Sequence, residues 1–289
     1  MDKAHTPVLL EEMLTLLSPQ DGGIYVDATF GAGGYSKAIL DAAKCSIYAI
    51  DRDETVAQYL CHEYPNRLKL FIEKFSNIEN VLHSNNVEGV DGIVFDIGVS
   101  SMQIGNGERG FSFMHDGPLN MSMDNSCSIN AATFVNSLRE EEIANTIYNY
   151  GGERYSRRIA RAIVNIRRKK TIKTTLELAE IIRSVVPRGK CKIDPATRTF
   201  QAIRIWVNDE LGELEKGIKA ASKLLNKNGK LIVVSFHSLE DRIVKNFFRD
   251  LCEEGFSFLN KKVIKASAEE VNNNPRSRSA KLRAIQKIL

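Results

Sequence analysis

The sequence predicts an α/β fold: a parallel sheet wound from βαβ units, with an all-helical domain inserted into it. Three observations carry this. Short β-rich runs alternate with helical stretches from residue 24 to residue 97; helical periodicity with capping signals holds from about 126 to 226; and a buried apolar run, Lys230-Leu-Ile-Val-Val-Ser-Phe236, follows. The simplest topology places the helical domain between the fourth and fifth strands. That divides the chain into 1–104 with 227–289, and 105–226.

Each element has its own signal. Strands are expected at Ile24 to Thr29, Ser46 to Asp51, Lys69 to Glu73 and Asp91 to Ile97, with helices over about 34–43, 54–63 and 76–84 between them. Residues 102–125 are rich in glycine, proline and methionine without a sustained period, which predicts a long ordered loop. In the helical stretch, Ser137-Leu-Arg-Glu140 reads as a capping box for a helix that stops at Gly151-Gly152, and a second helix is expected over 153–168. Thr174-Thr-Leu-Glu177 reads as another capping box, and one long helix is expected over 197–226, ending at Asn228-Gly229. Ser238-Leu-Glu-Asp241 caps a helix to about 254. Phe256 to Ala266 and Lys281 to Leu289 then pair antiparallel at the sheet's edge.

Composition narrows the class. With 289 residues, 43% hydrophobic and 26% charged, the chain can bury a sizeable core, and no run approaches the roughly 18 apolar residues of a membrane span. Met1-Asp-Lys-Ala-His-Thr6 lacks the pattern of a secretory signal. The five cysteines, Cys45, Cys61, Cys127, Cys191 and Cys252, show neither a disulfide framework nor zinc-ligand spacing, and the histidines His5, His62, His83 and His115 show no ligand spacing either. A cytoplasmic protein without a metal site is expected. The net charge of +4 says little by itself.

The chemistry concentrates after the first strand. Asp27-Ala-Thr-Phe-Gly-Ala-Gly-Gly34 is a strand end running into a glycine turn and a helix, and Asp51 closes the next strand. Such a turn lets main-chain N–H groups approach a nucleotide-like ligand, and the second acid can take a ribose diol. Gly31, Gly33 and Gly34 lack the third glycine of G-x-G-x-x-G. Asp27 would repel a pyrophosphate and attract the ammonium and sulfonium of S-adenosylmethionine, so the methyl donor is favoured over a nicotinamide dinucleotide, which stays open. Asp96, at the end of the fourth strand, faces the same crevice and is the candidate proton acceptor for an amine nucleophile; a loop-fixing carboxylate is the alternative.

Other residues suggest a nucleic-acid substrate. Phe111 and Phe113, in Glu108-Arg-Gly-Phe-Ser-Phe113, could take up an unstacked base or pin the loop to the core. Arg154, Arg157, Arg158, Arg161 and Arg168 share one helical face, with Ile159, Ile163 and Ile166 on another. Residues 153–170 hold eight basic side chains against one acid, which reads as a phosphate-tracking stripe. Arg276, Arg278, Lys281 and Arg283 make a second candidate patch. His237 could act as a base at the crevice rim, and Trp206 is expected to pack.

These strings resemble a known family. His5-Thr-Pro-Val-Leu-Leu10, Asp27 to Ser36, Ala49 to Asp53, Asp91 to Gln103, Glu108 to Phe113, Asp116 to Asp124, Arg198 to Asn208 and Ser235 to Lys245 are similar, in order and over nearly the whole chain, to the MraW family of small-subunit ribosomal RNA cytosine-N4 methyltransferases. The resemblance implies a Rossmann-like class I methyltransferase sheet with an inserted all-helical domain for substrate recognition. It also implies S-adenosylmethionine as donor and methylation of the exocyclic amine of a decoding-centre cytidine in small-subunit ribosomal RNA. Carried over by position, the family's donor-binding residues fall on Gly33, Gly34, Tyr35, Asp51, Phe75, Asp96 and Gln103. The chain departs from the pattern at Tyr35, where the family has histidine, and at Asn120 and Ser122, which replace aspartate and arginine. The oligomeric state is not readable from the residues, and a homodimer stays open. Other readings that stay open are a noncatalytic ribosome-assembly factor and a DNA amine methyltransferase.

Overall fold

The computed structural model describes residues 7–60, 63–124, 129–187 and 194–289. His5, His62, Cys61, Cys127 and Cys191 lie outside them. In chain order the elements are α1 Leu10–Leu17, β1 Ile24–Asp27, α2 Gly34–Ala42, β2 Ser46–Asp51, β3 Leu68–Ile72, α3 Ile78–His83, β4 Val90–Asp96, α4 Ser101–Gly105, α5 Ala131–Ser137, α6 Glu140–Gly151, α7 Ser156–Arg167, α8 Thr175–Val185, α9 Ala196–Asn208, α10 Glu210–Leu224, β5 Leu225–Ser235, α11 Ser238–Leu251, β6 Phe256–Phe258, α12 Ala268–Asn273 and β7 Lys281–Lys287. They divide into a sheet unit, the described residues up to Gly98 with Leu211–Leu289, and a helical unit, Val99–Glu210.

The sheet runs in the order β3-β2-β1-β4-β5-β7-β6. The first five strands pair in parallel, and β7 runs antiparallel between β5 and β6. This order, with its late antiparallel strand, is that of the Rossmann-like class I methyltransferase sheet. Parallel strands buried on both faces read as near-continuous apolar runs, as Ile93, Val94 and Phe95 do. Their core includes Val26, Ile50, Ile93, Phe95, Leu231 and Val233 from the sheet, with Leu214, Ile218, Ala221 and Leu224 of α10 against it. All parallel strands end on one edge, so the loops after β1, β2 and β4 are delivered together. Among the described residues no helix is long and apolar enough to cross a membrane.

The helical unit has a separate core, with Phe134, Ile143, Ile147, Ile159, Ile163, Leu178, Ile182 and Phe200 at its centre. Trp206 packs there as expected, edge-on to Phe134 at 5.1 Å between centroids. Thr174 caps α8 and Glu177 returns the bond, the capping box the sequence announces.

Several expectations are corrected. The helix expected over 197–226 is two, broken at Asp209, whose φ of 47° is left-handed; α10 then packs on the sheet instead of extending the insertion. Residues Glu54–Tyr59 form a 3-10 turn, and α4 lies inside the expected loop. Ser137 ends α5, and the helix that follows is capped at Arg139, whose N–H donates to Glu142 at 3.0 Å. His237, not Ser238, caps α11. Ile166 is 38% exposed and so does not share the buried face of Ile159 and Ile163.

Candidate active site

The site begins with the glycine turn. Asp27 ends β1 without solvent exposure. Its carboxylate accepts from the Ser36 hydroxyl at 2.7 Å and the Thr29 N–H at 3.2 Å. Burial outweighs those bonds and lifts the carboxyl to about 6. The Phe30 N–H donates to the Ile50 carbonyl, and the Gly33 N–H turns back to the Phe30 carbonyl at 2.7 Å. Gly33, with φ +77°, could not carry a Cβ, which would lie 2.9 Å from the Phe30 ring; one on Gly34 would lie 2.3 Å from Pro7. Gly31 differs. Its φ is +53°, and a Cβ there would meet only the Thr29 carbonyl, at 3.9 Å, so the turn presents bare backbone to open space.

Asp51 joins this turn to the end of β2. One carboxylate oxygen accepts from the Gly31 N–H at 2.8 Å and the other from the Asp53 N–H at 2.9 Å. Burial, the largest cause, raises its pKa. Carboxylate oxygens keep further lone pairs for a diol after such bonds. Phe75, after β3, packs edge-on to Phe95 at 5.4 Å, and a Cβ on Gly217 of α10 would lie 2.5 Å from its ring.

Asp96 ends β4. Its own N–H donates to Thr29 Oγ1 at 2.7 Å, which ties the strand end to the glycine turn. Its Oδ1 is buried and makes no hydrogen bond. Burial, then the carboxylates of Asp27 and Glu240, push its carboxyl up to about 8. A half-buried acid whose unbonded oxygen is shut away from water among other acids is costly unless a cation or a proton joins it. The Tyr35 phenol, buried beside these acids, donates to the Val8 carbonyl, so its side chain is held by α1's approach and not directed at a ligand.

A nucleoside carrying a positive centre fits these residues. Gly31 leaves room, Asp51 offers acceptors, Phe75 an apolar wall, and Asp27 with Asp96 a carboxylate pair that a sulfonium would neutralise.

His237 follows β5. Its Nδ1 accepts from the Glu240 N–H at 3.4 Å, and Glu240 accepts from the main-chain N–H groups of Phe236, at 2.8 Å, and His237, at 3.2 Å. Its imidazole is engaged in the cap. Sequence reasoning passed over Glu240, Thr29 and Ser36; His237-x-x-Glu240 is a capping-box spacing that could have flagged the first.

The remaining candidates belong to the helical unit. Gln103 closes a capping box with Ser100 in α4. Phe111 is buried in the helical core, Phe113 stacks edge-on to Phe200 at 4.9 Å, and Arg183 lies over the Phe113 ring. These rings anchor the loop. Arg154, Arg157, Arg158, Arg161 and Arg168 are exposed; Arg154 precedes α7, and Arg161 lies 3.5 Å from Glu140. The second basic patch is reduced, because Lys281 and Arg283 both donate to Asp241.

The strand order and the acid-rimmed glycine turn define an enzyme of the Rossmann-like methyltransferase class. The profile of the MraW methylase family matches residues 2–288, and the chain belongs to that family. It is 79% identical over 290 residues to the ribosomal RNA small subunit methyltransferase H of Wolbachia sp. subsp. Drosophila simulans (strain wRi), covering 98% of this chain and 99% of that protein. To the protein of the same name from Ehrlichia canis (strain Jake) it is 62% identical over 296 residues, covering 98% and 100%. A solved rRNA methylase from Streptococcus thermophilus aligns with a TM-score of 0.48 and 11% identity over 99% of this chain and 100% of that one.

Proposed function

We propose that this chain transfers a methyl group from S-adenosylmethionine to the exocyclic N4 amine of a decoding-centre cytidine in small-subunit ribosomal RNA. The observation that carries this reading is Asp96: a strand-end carboxylate with a buried, unbonded oxygen beside a second buried acid, on the edge that also holds the Gly31 turn and Asp51. Relatives that share most of the chain bear the name of a small-subunit ribosomal RNA methyltransferase, which supports the substrate class.

When bound, the donor supplies an electrophilic methyl on a cationic sulfur. Gly31, Gly33, Gly34, Tyr35 through its main chain, Asp51 and Phe75 would hold it, and the family resemblance adds Gln103; Asp27 and Asp96 would complement its charge. Asp96 then accepts a hydrogen bond from the cytidine amine, localises a lone pair otherwise delocalised into the ring, and takes the proton released as the methyl's bond to nitrogen forms and its bond to sulfur breaks, the neutral thioether S-adenosylhomocysteine being the leaving group. Arg154, Arg157, Arg158 and Arg161 contact RNA phosphates, Phe111 and Phe113 shape the loop that receives the base, and His237 lies at the rim. The work is done in the cytoplasm.

Purified protein given labelled donor with small subunits, naked small-subunit RNA or duplex DNA tests this. The expected product is N4-methylcytidine in the ribosomal RNA by nucleoside mass spectrometry. Donor binding without any methylated nucleoside would leave a binding factor, and label in DNA alone would move the substrate.

A further inference from the structure

The mechanism above gives no task to Glu240, which with Asp27 is one of the two acids without solvent exposure among the described residues. Glu240, in the first turn of α11, has no solvent exposure, a costly place for a carboxylate. It accepts from the N–H groups of Phe236 and His237, and its other oxygen lies 3.0 Å from His237 Nε2. Capping alone would be served by a glutamine, which fills the same box. The charge needs a separate account.

The turn that Glu240 ties down adjoins Asp96. Val234 of β5 stands opposite Asp96 of β4, and the Ile97 N–H donates to the Val234 carbonyl at 2.9 Å. Two residues past Val234, the Phe236 ring lies 3.5 Å from where a Cβ on Gly98 would stand, so Phe236 backs the loop that leaves Asp96. Asp96 is thus faced by Asp27 from β1, the Tyr35 phenol from α2 and Glu240 from α11, all of them acids. A negative charge fixed beside a carboxylate makes that carboxylate hold a proton more tightly.

We infer that Glu240 is a positioning residue for the transfer: its buried charge strengthens Asp96 as a proton acceptor, and its grip on Phe236 holds the loop that carries Asp96. This rests on the reading of Asp96 given above. Glu240 touches no reacting atom, and its influence passes through Asp96.

The test uses the full chain with Glu240→Gln, which keeps an acceptor for both N–H groups and removes the charge. Two quantities are read: the midpoint of the Asp96 carboxyl carbon titration by NMR in the free protein, assigned with Asp96→Asn, and the acidic limb of kcat/KM with S-adenosylmethionine and small subunits. Both should move to lower pH by about one unit. An unmoved midpoint in the folded variant overturns the inference, and so does a moved midpoint with an unmoved limb. If the glutamine variant does not fold, Glu240→Asp keeps the charge but withdraws it, and a smaller shift in the same direction is expected; none would overturn the idea. Because the midpoint needs no turnover, a shifted midpoint with no methyl transfer would count against the proposed reaction alone and leave the coupling of the two acids standing.

Discussion

At the scale of single residues, the glycine turn separates space from strain. A Cβ on Gly31 meets nothing closer than 3.9 Å within the protein, whereas one on Gly33 meets the Phe30 ring at 2.9 Å. Gly31→Ala should therefore cost only the roughly 1 kcal/mol of a left-handed alanine yet obstruct the donor, weakening its affinity at least tenfold by calorimetry. Gly33→Ala should lower the melting temperature further, because strain and clash add. Asp96→Asn should bring turnover down by about 10²- to 10⁴-fold, the usual worth of a general base. Turnover of that variant at the wild-type rate would remove Asp96 from the chemistry.

Among elements, α7 shows how composition divides labour along one helix. Ile159 and Ile163 are fully buried in the helical core, and truncating either to alanine should cost about 2 to 5 kcal/mol. The exposed arginines should cost little stability. In RNA binding measured against salt, each of Arg154, Arg157, Arg158 and Arg161 changed to alanine should reduce the slope of log K against log salt by roughly 0.7 to 0.9. Slopes unchanged in all four would exclude the stripe from phosphate contact.

This is also the scale at which legibility varied. The parallel strands, the acids at their ends and the Thr174 cap could be read because periodicity and capping are local signals. The break at Asp209 could not, since a non-glycine residue there takes a left-handed φ without any glycine or proline to mark it. Ser137 fits the spacing of a capping box but closes α5, a choice made by the packing of Phe134 and Val135. Phe111 and Phe113 could be read as base platforms or as anchors, and only the core around them shows that they anchor. The spacing of Glu240 from His237 marks a cap, but its burial and its place beside Asp96 show only once the chain is folded.

For the whole molecule, the acid cluster makes both stability and affinity depend on pH. Asp96 titrates near 8 and Asp27 near 6, against 3.8 for an ordinary aspartate. Between those values the folded chain holds protons that the unfolded chain has released. The contribution of these two acids to stability is therefore fullest below about 4, falls as pH rises through 6 and 8, and levels off beyond. In chemical denaturation from pH 5 to 9, Asp96→Asn should flatten the upper part of that fall. A cationic ligand favours the deprotonated acids, so donor affinity should rise over the same range. Calorimetry in buffers of different ionisation heat should register proton release on binding.

The strand order has a consequence for how the chain comes off the ribosome. Residues 99–210 are contiguous and enclose their own core, so they can fold as soon as they emerge. The sheet cannot: β5 and β6 are joined only through β7, which is synthesised after both, and until then β5 presents a bare edge. The later-made part of the sheet, β5 and β6, thus waits for the last-made strand, and the nascent chain is most prone to mispairing in that interval.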